Sequence, residues 1–239
     1  MNNPNGDYSS SRRVVNTDAG LNRFMTKMYG HMTLSVLVSA LTAFVCSFYT
    51  SSITMYLSQH SAMMWLLFLV PVGLSMGISF KATRNYAASF TMLMAMAVIY
   101  GFIFSIISLA YTSANIAAAF LSASAVFITM TVYGAFTKRD LTKFGSHARA
   151  ALIALIIASV INIFLQSPAI TYIFSYIAVI IFTVLTAYDT QNMKRMYLQY
   201  GSQVSVGGLA VMGALQLYLD FINIFISLLQ IFGMGGSRD

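Results

Sequence analysis

Long apolar runs separated by short polar clusters dominate this chain. Residues 28–80, between Lys27 and Lys81, contain no Asp, Glu, Lys or Arg, and neither do residues 85–137, between Arg84 and Lys138. A helix needs about 20 apolar residues to cross a bilayer, so each run has room for two helices and a turn of about ten residues. A third charge-free run, residues 150–188, fits two shorter helices if the turn between them is tight, and Gln166-Ser167-Pro168 supplies such a turn. A last apolar stretch, from Gly207 to Phe232, is interrupted by a single charge at Asp220. The pattern predicts an all-α integral membrane protein with seven transmembrane helices. The spans are expected at Tyr29–Thr50, Ala62–Phe80, Ala87–Leu109, Ala114–Phe136, Ala148–Gln166, Ala169–Asp189 and Gly207–Leu229.

The charges set the orientation. Every base except Arg238 falls on one side of this arrangement: Arg12, Arg13, Arg23 and Lys27, then Lys81 and Arg84, then Lys138, Arg139, Lys143 and Arg149, then Lys194 and Arg195. Positive-inside bias puts the N-terminus in the cytoplasm and the C-terminus outside, as an odd number of spans requires. The polar, Asn- and Ser-rich residues 1–22 read as a disordered cytoplasmic tail, not a cleaved signal, and residues 23–239 as one transmembrane domain.

Composition supports this and narrows the chemistry. Of 239 residues, 58% are apolar and only 8% charged, well below the roughly 25% that keeps a soluble domain wetted. The net charge of +7 is scattered in short clusters, which fits membrane topology and not nucleic-acid binding. All six acids are aspartates, which excludes glutamate-based catalysis and acid-rich metal cages. The single cysteine, Cys46, permits no intrachain disulfide, and His31, His60 and His147 lack metal-ligand spacing. No Gly-x-Ser-x-Gly occurs, and no lysine lies inside a span to carry retinal. The chain is expected to be no enzyme and to hold no resident metal or cofactor.

Polar residues inside the spans carry the remaining information. An intramembrane acid costs a few kcal/mol at the bilayer centre, so Asp220 requires a partner or a function. In the last span Gly213, Gln216, Asp220, Asn223, Ser227 and Gln230 recur at steps of three and four and share one helix face. That stripe should face protein or water. Asp189 ends the sixth span, and if it meets Asp220 the two carboxylates share one proton, making a pH switch without histidine. With these boundaries the two depths differ, and the pair meets only if the last helix starts late, near Gly213. Pro71 should kink the second span, Gly73 and Gly77 offer a close-packing face, and the lines His31-Ser35-Ser39-Thr42 and Ser159-Asn162-Gln166 read as interhelical glue or as pore lining.

Two stretches, Ala187-Tyr188-Asp189-Thr190-Gln191 and Leu217-Tyr218-Leu219-Asp220-Phe221-Ile222-Asn223-Ile224-Phe225, resemble the signatures of the Bax inhibitor-1 family, and Tyr29-Gly30-His31-Met32 through Ala40 is similar to its first span. The chain looks closest to the bacterial inner-membrane branch. The resemblance implies six helices wrapped around a central seventh, and a pH-sensitive calcium leak whose paired sensor and gate would be Asp189 and Asp220. It implies a basic latch on Asp189 from the inner end of the second helix, where either Lys81 or Arg84 stands. Some members carry a glutamate in that helix; this chain has none.

Two functions follow as expectations. The first is a proton-regulated leak for calcium or another cation, with Asp189 and Asp220 as gate, Gln216, Asn223 and Ser227 as polar stripe and Ca2+ bound only in transit. The second is a non-conducting regulator that binds a membrane protease or translocation component. Both place the protein in the lipid bilayer of the inner membrane, without nucleic acid.

Overall fold

The computed structural model describes residues 7–82 and 84–235. In hydrocarbon no water is present to satisfy backbone N–H and C=O groups, so every apolar run folds as helix. The helices are α1 (Asp7–Ser47), α2 (Thr50–Gln59), α3 (Ser61–Lys81), α4 (Tyr86–Ile107), α5 (Ser113–Phe136), α6 (Thr142–Leu165), α7 (Pro168–Tyr200) and α8 (Val206–Gly235). Seven are long and apolar enough to cross a membrane, and α2 is a short connector. Side-chain caps mark the turns: Asn85 accepts from the Ala88 N–H at 3.0 Å, and Thr112 accepts from the Asn115 N–H at 3.2 Å. The expected tight turn is present. Gln166 ends α6 in the left-handed region at φ 49°, Ser167 caps α7, and Pro168 opens it.

The last helix is the axis of the molecule. In the most apolar window of α8, 72% of residues are buried, against at most 28% in any other span. It packs against α1, α3, α4, α5 and α7. Tyr218 is fully buried there, its hydroxyl 2.7 Å from Ser39 Oγ, which in turn donates to the Ala97 carbonyl at 2.8 Å. One chain of polar contacts thus ties α8 to α1 and α4, and the line His31-Ser35-Ser39 is glue at this point. The expected ring of six around the seventh is incomplete, however. α6 packs along α7 but not closely on α8, and a cleft remains between them.

Two boundaries differ from expectation. α1 is helical from Asp7, within the segment read as a tail, and its Leu21 and Phe24 already belong to the core, Phe24 stacking on Tyr197 with ring centroids 4.7 Å apart. α7 does not end at Asp189 but runs on to Tyr200, because this polar extension packs against α1 and α5 instead of facing lipid. α8 starts at Val206, next to the expected Gly207, and not late near Gly213. Of the pair Gly73 and Gly77, only Gly77 meets a neighbour, Met92 of α4, whereas Gly73 faces open space. Pro71 lies inside α3 without ending it.

Candidate functional site

The extension of α7 resolves the depth mismatch. Asp189 sits about three turns before the end of α7, and Asp220 about four turns into the antiparallel α8, so both lie well inside the bundle at comparable depth. Both are buried, and both line one cleft of about 830 Å³ bounded by α3, α4, α6, α7 and α8. Asp189 is close enough to Asp220 to act on it electrostatically. The stripe residues Gln216, Asn223 and Ser227 line the same cleft, as the helical spacing required. Asp220 Oδ2 and Gln216 Oε1 are buried without a hydrogen-bond partner, and they lie one turn apart on one face of α8. Such orphaned acceptors in an apolar interior are costly unless a cation, a proton or water visits them.

The base beside Asp189 is Arg149, and neither Lys81 nor Arg84, the candidates read from the sequence, forms an ion pair with it. Arg149 Nη2 stands 3.3 Å from Asp189 Oδ1, and its guanidinium lies over the Tyr188 ring, 4.7 Å from the centroid. Lys81 closes α3 and Arg84 follows in the turn; both are exposed at the helix edge, whereas Arg149 is two turns inside α6 at the level of Asp189. The pair is longer than a tight charge-assisted bond, and the Arg149 side chain is 51% exposed. This is a contact that parts easily. Its signal in the sequence was a base placed at the start of a span whose sequence neighbour, the next span, carries a lone acid.

Local packing fixes α7 at this level. Gly134 of α5 lies directly on the Ala187 backbone, and Gly145 of α6 lies on the Tyr188 ring; a side chain at either would overlap its neighbour. On the opposite face of α7, Gln191 accepts from the Leu141 N–H at 2.9 Å and donates to the Arg139 carbonyl at 2.8 Å. Lys194 donates to the Ala135 carbonyl at 2.9 Å, and Arg195 donates to Asp140 at 2.6 Å and to Thr142 at 2.7 Å. The α5–α6 turn is thus stapled to α7. Asp140, outside the membrane-spanning segments, is held well below the usual carboxylate range by the Thr142 hydroxyl and then by Arg195. Sequence reasoning missed this hub, because Gln191 at a membrane edge has no special pattern.

Among the described residues no group of three or more His, Cys, Asp or Glu side chains converges, so the cleft offers two carboxylates and neutral oxygens to a cation. Residues 21–237 match the family described as Inhibitor of apoptosis-promoting Bax1. The chain belongs to the Bax inhibitor-1 family. It is 38% identical to the uncharacterized protein YrjE of Lactococcus lactis, over 92% of this chain and 94% of that one. It is 37% identical to the inner membrane protein YbhL of Escherichia coli, over 95% and 97% respectively. An uncharacterized Rickettsia prowazekii protein, RP147, matches at 35% over 93% of each chain. In this Bax inhibitor-1 family member Asp189 of α7 and Leu219, Asp220 and Asn223 of α8 line the same cleft.

Proposed function

We propose that this protein is a proton-regulated cation leak of the bacterial inner membrane, with calcium as the cargo the family resemblance favours. One observation carries the reading: two carboxylates and one guanidinium share a cleft walled largely by apolar side chains, and an oxygen of Asp220 has no partner. With one proton on the aspartate pair, the charges of Asp189, Asp220 and Arg149 cancel and the cleft is neutral. Tyr100 is the remaining titratable side chain lining it and stays neutral at physiological pH. Removing the proton leaves one net negative charge in a low-dielectric space, where it repels within the pair and attracts a cation. The loose Arg149–Asp189 contact absorbs part of this charge in the closed state and yields as the pair opens.

The basic clusters support an orientation with the aspartate end of the cleft toward the cytoplasm and the C-terminus outside. The name of the Escherichia coli relative supports the inner membrane as its location. No catalytic step and no resident cofactor are part of this reading; calcium passes through, held for a moment by carboxylate, amide and hydroxyl oxygens. The test is calcium flux into proteoliposomes across pH 5 to 8. Flux through the native chain should rise as the pair loses its proton, by up to about tenfold per pH unit for a one-proton gate. Asp189→Asn and Asp220→Asn should each flatten that profile. Native protein that passes no calcium, sodium or potassium at any pH would sink the proposal and leave the non-conducting regulator in its place.

A further inference from the structure

A second cleft, of about 620 Å³, lies between α6, α7 and α8 near the Gln166-Ser167-Pro168 turn. It shares Leu155, Ser159, Ile163, Ala178 and Ser227 with the aspartate cleft, so the two form one crevice. Measured along α6 from Arg149 to Gln166, the crevice is about 25 Å long, close to the thickness of the hydrocarbon layer. Carboxylates line only one end. The other half carries neutral oxygens and amides: Ser159, Asn162, Ser175, Ser227 and Gln230. At that far end two contacts bridge the walls. Ser175 Oγ donates to Gln230 Oε1 at 2.5 Å, joining α7 to α8, and Asn162 Nδ2 donates to Thr171 Oγ1 at 2.9 Å, joining α6 to α7.

The lipid side of α6 shows what the polar line is not for. Ile153, Ile157 and Ile161 are exposed, apolar and line neither cleft, whereas Arg149, Ser159 and Asn162 of the same helix line the crevice beside Ile156 and Val160. A contrasting cavity of about 420 Å³ lies on the other side of α8, walled by Phe104, Phe120, Phe221 and Phe225. That cavity holds no amide or charged side chain and suits no water chain. Hydroxyl, amide and charged groups spaced along an otherwise apolar crevice at membrane depth are tolerated where water reaches them.

We infer that water and the permeating cation cross off the bundle axis, along the crevice of α6, α7 and α8, and that the Ser175–Gln230 and Asn162–Thr171 hydrogen bonds gate its end away from the aspartates. The route rests on the leak reading above, and the experiment separates the two. In full-length protein carrying Cys46→Ala, single cysteines are introduced as Ser159→Cys, Asn162→Cys and Ser227→Cys, with Ile157→Cys and Ile161→Cys as lipid-facing controls. A charged, membrane-impermeant thiol reagent is applied to proteoliposomes, and labelling rate and calcium flux are both read. Crevice positions should label at least about tenfold faster than the controls, because only a hydrated thiol ionises and reacts. The cationic adduct at position 162 should block flux, and Gln230→Ala should speed labelling at position 227 from the far side. Crevice thiols no faster than the controls, with flux intact, overturn the route and spare the leak. Fast labelling with no flux in the unlabelled protein overturns the leak and the crevice's role as a cation route together.

Discussion

Asp189 and Gln191 are two residues apart on α7 and therefore point to opposite sides of it. Gln191 faces the α5–α6 turn, where its side chain joins Leu141, Arg139 and Arg195 in three hydrogen bonds. Asp189 faces the cleft, where one loose contact to Arg149 is its only ion pair among the described residues, and where Asp220 and Gln216 leave acceptors unpaired. The satisfied side is a structural joint. The unsatisfied side stores electrostatic cost that a proton or a cation can relieve, which a response to pH requires.

Substitutions on the two sides should therefore separate stability from pH response. Gln191→Leu is expected to have the largest effect on stability, since it strips a buried N–H and a carbonyl of their partners. A loss of about 2–4 kcal/mol, read by thermal unfolding in detergent, is expected together with an unchanged pH profile of flux. Asp220→Asn should do the reverse, leaving stability unchanged or raised by about 1 kcal/mol while flattening the profile, because it removes a costly buried charge. If Asp220→Asn unfolds the protein as readily as Gln191→Leu, the contrast between the sides is wrong. The smallest effect belongs to Asp140→Asn at the exposed edge of the joint. Its carboxyl is held below the usual range in the folded state, so its contribution is present above its ordinary value near pH 4 and is lost as pH falls through the depressed folded value. The native and variant melting temperatures, differing by about a degree at pH 7, should converge in acid.

Much of this contrast was half legible in the residues. The polar stripe on α8 followed from spacing alone, since residues three and four apart share a face whatever surrounds them. Asp189 stood out by its charge, but its depth was misjudged, because the polar segment after it resembles a cytoplasmic loop until α1 and α5 are seen to enclose it. Lys81 and Arg84 were candidate latches by their position at a membrane edge; Arg149 instead stands beside Asp189 because two turns of α6 carry it inward to that level. Ser159, Asn162 and Gln166 were aligned in the sequence without showing whether they bound a neighbour or lined a space; all three line the second cleft, and Asn162 also bonds to Thr171.

The amino-acid sequence by itself determined the number of spans, their approximate limits, the turn at Gln166, the polar face of the last helix and membership of the family. These depend on local hydropathy and spacing, which the bilayer reads one segment at a time. Tertiary structure alone decided that α7 continues past Asp189, that Arg149 is its counter-ion, and that one helix stands away to leave an off-axis crevice. Those outcomes depend on the rotation and axial shift of each helix against its neighbours, and each residue turns a side chain by about 100°, so a small shift exchanges one partner for another.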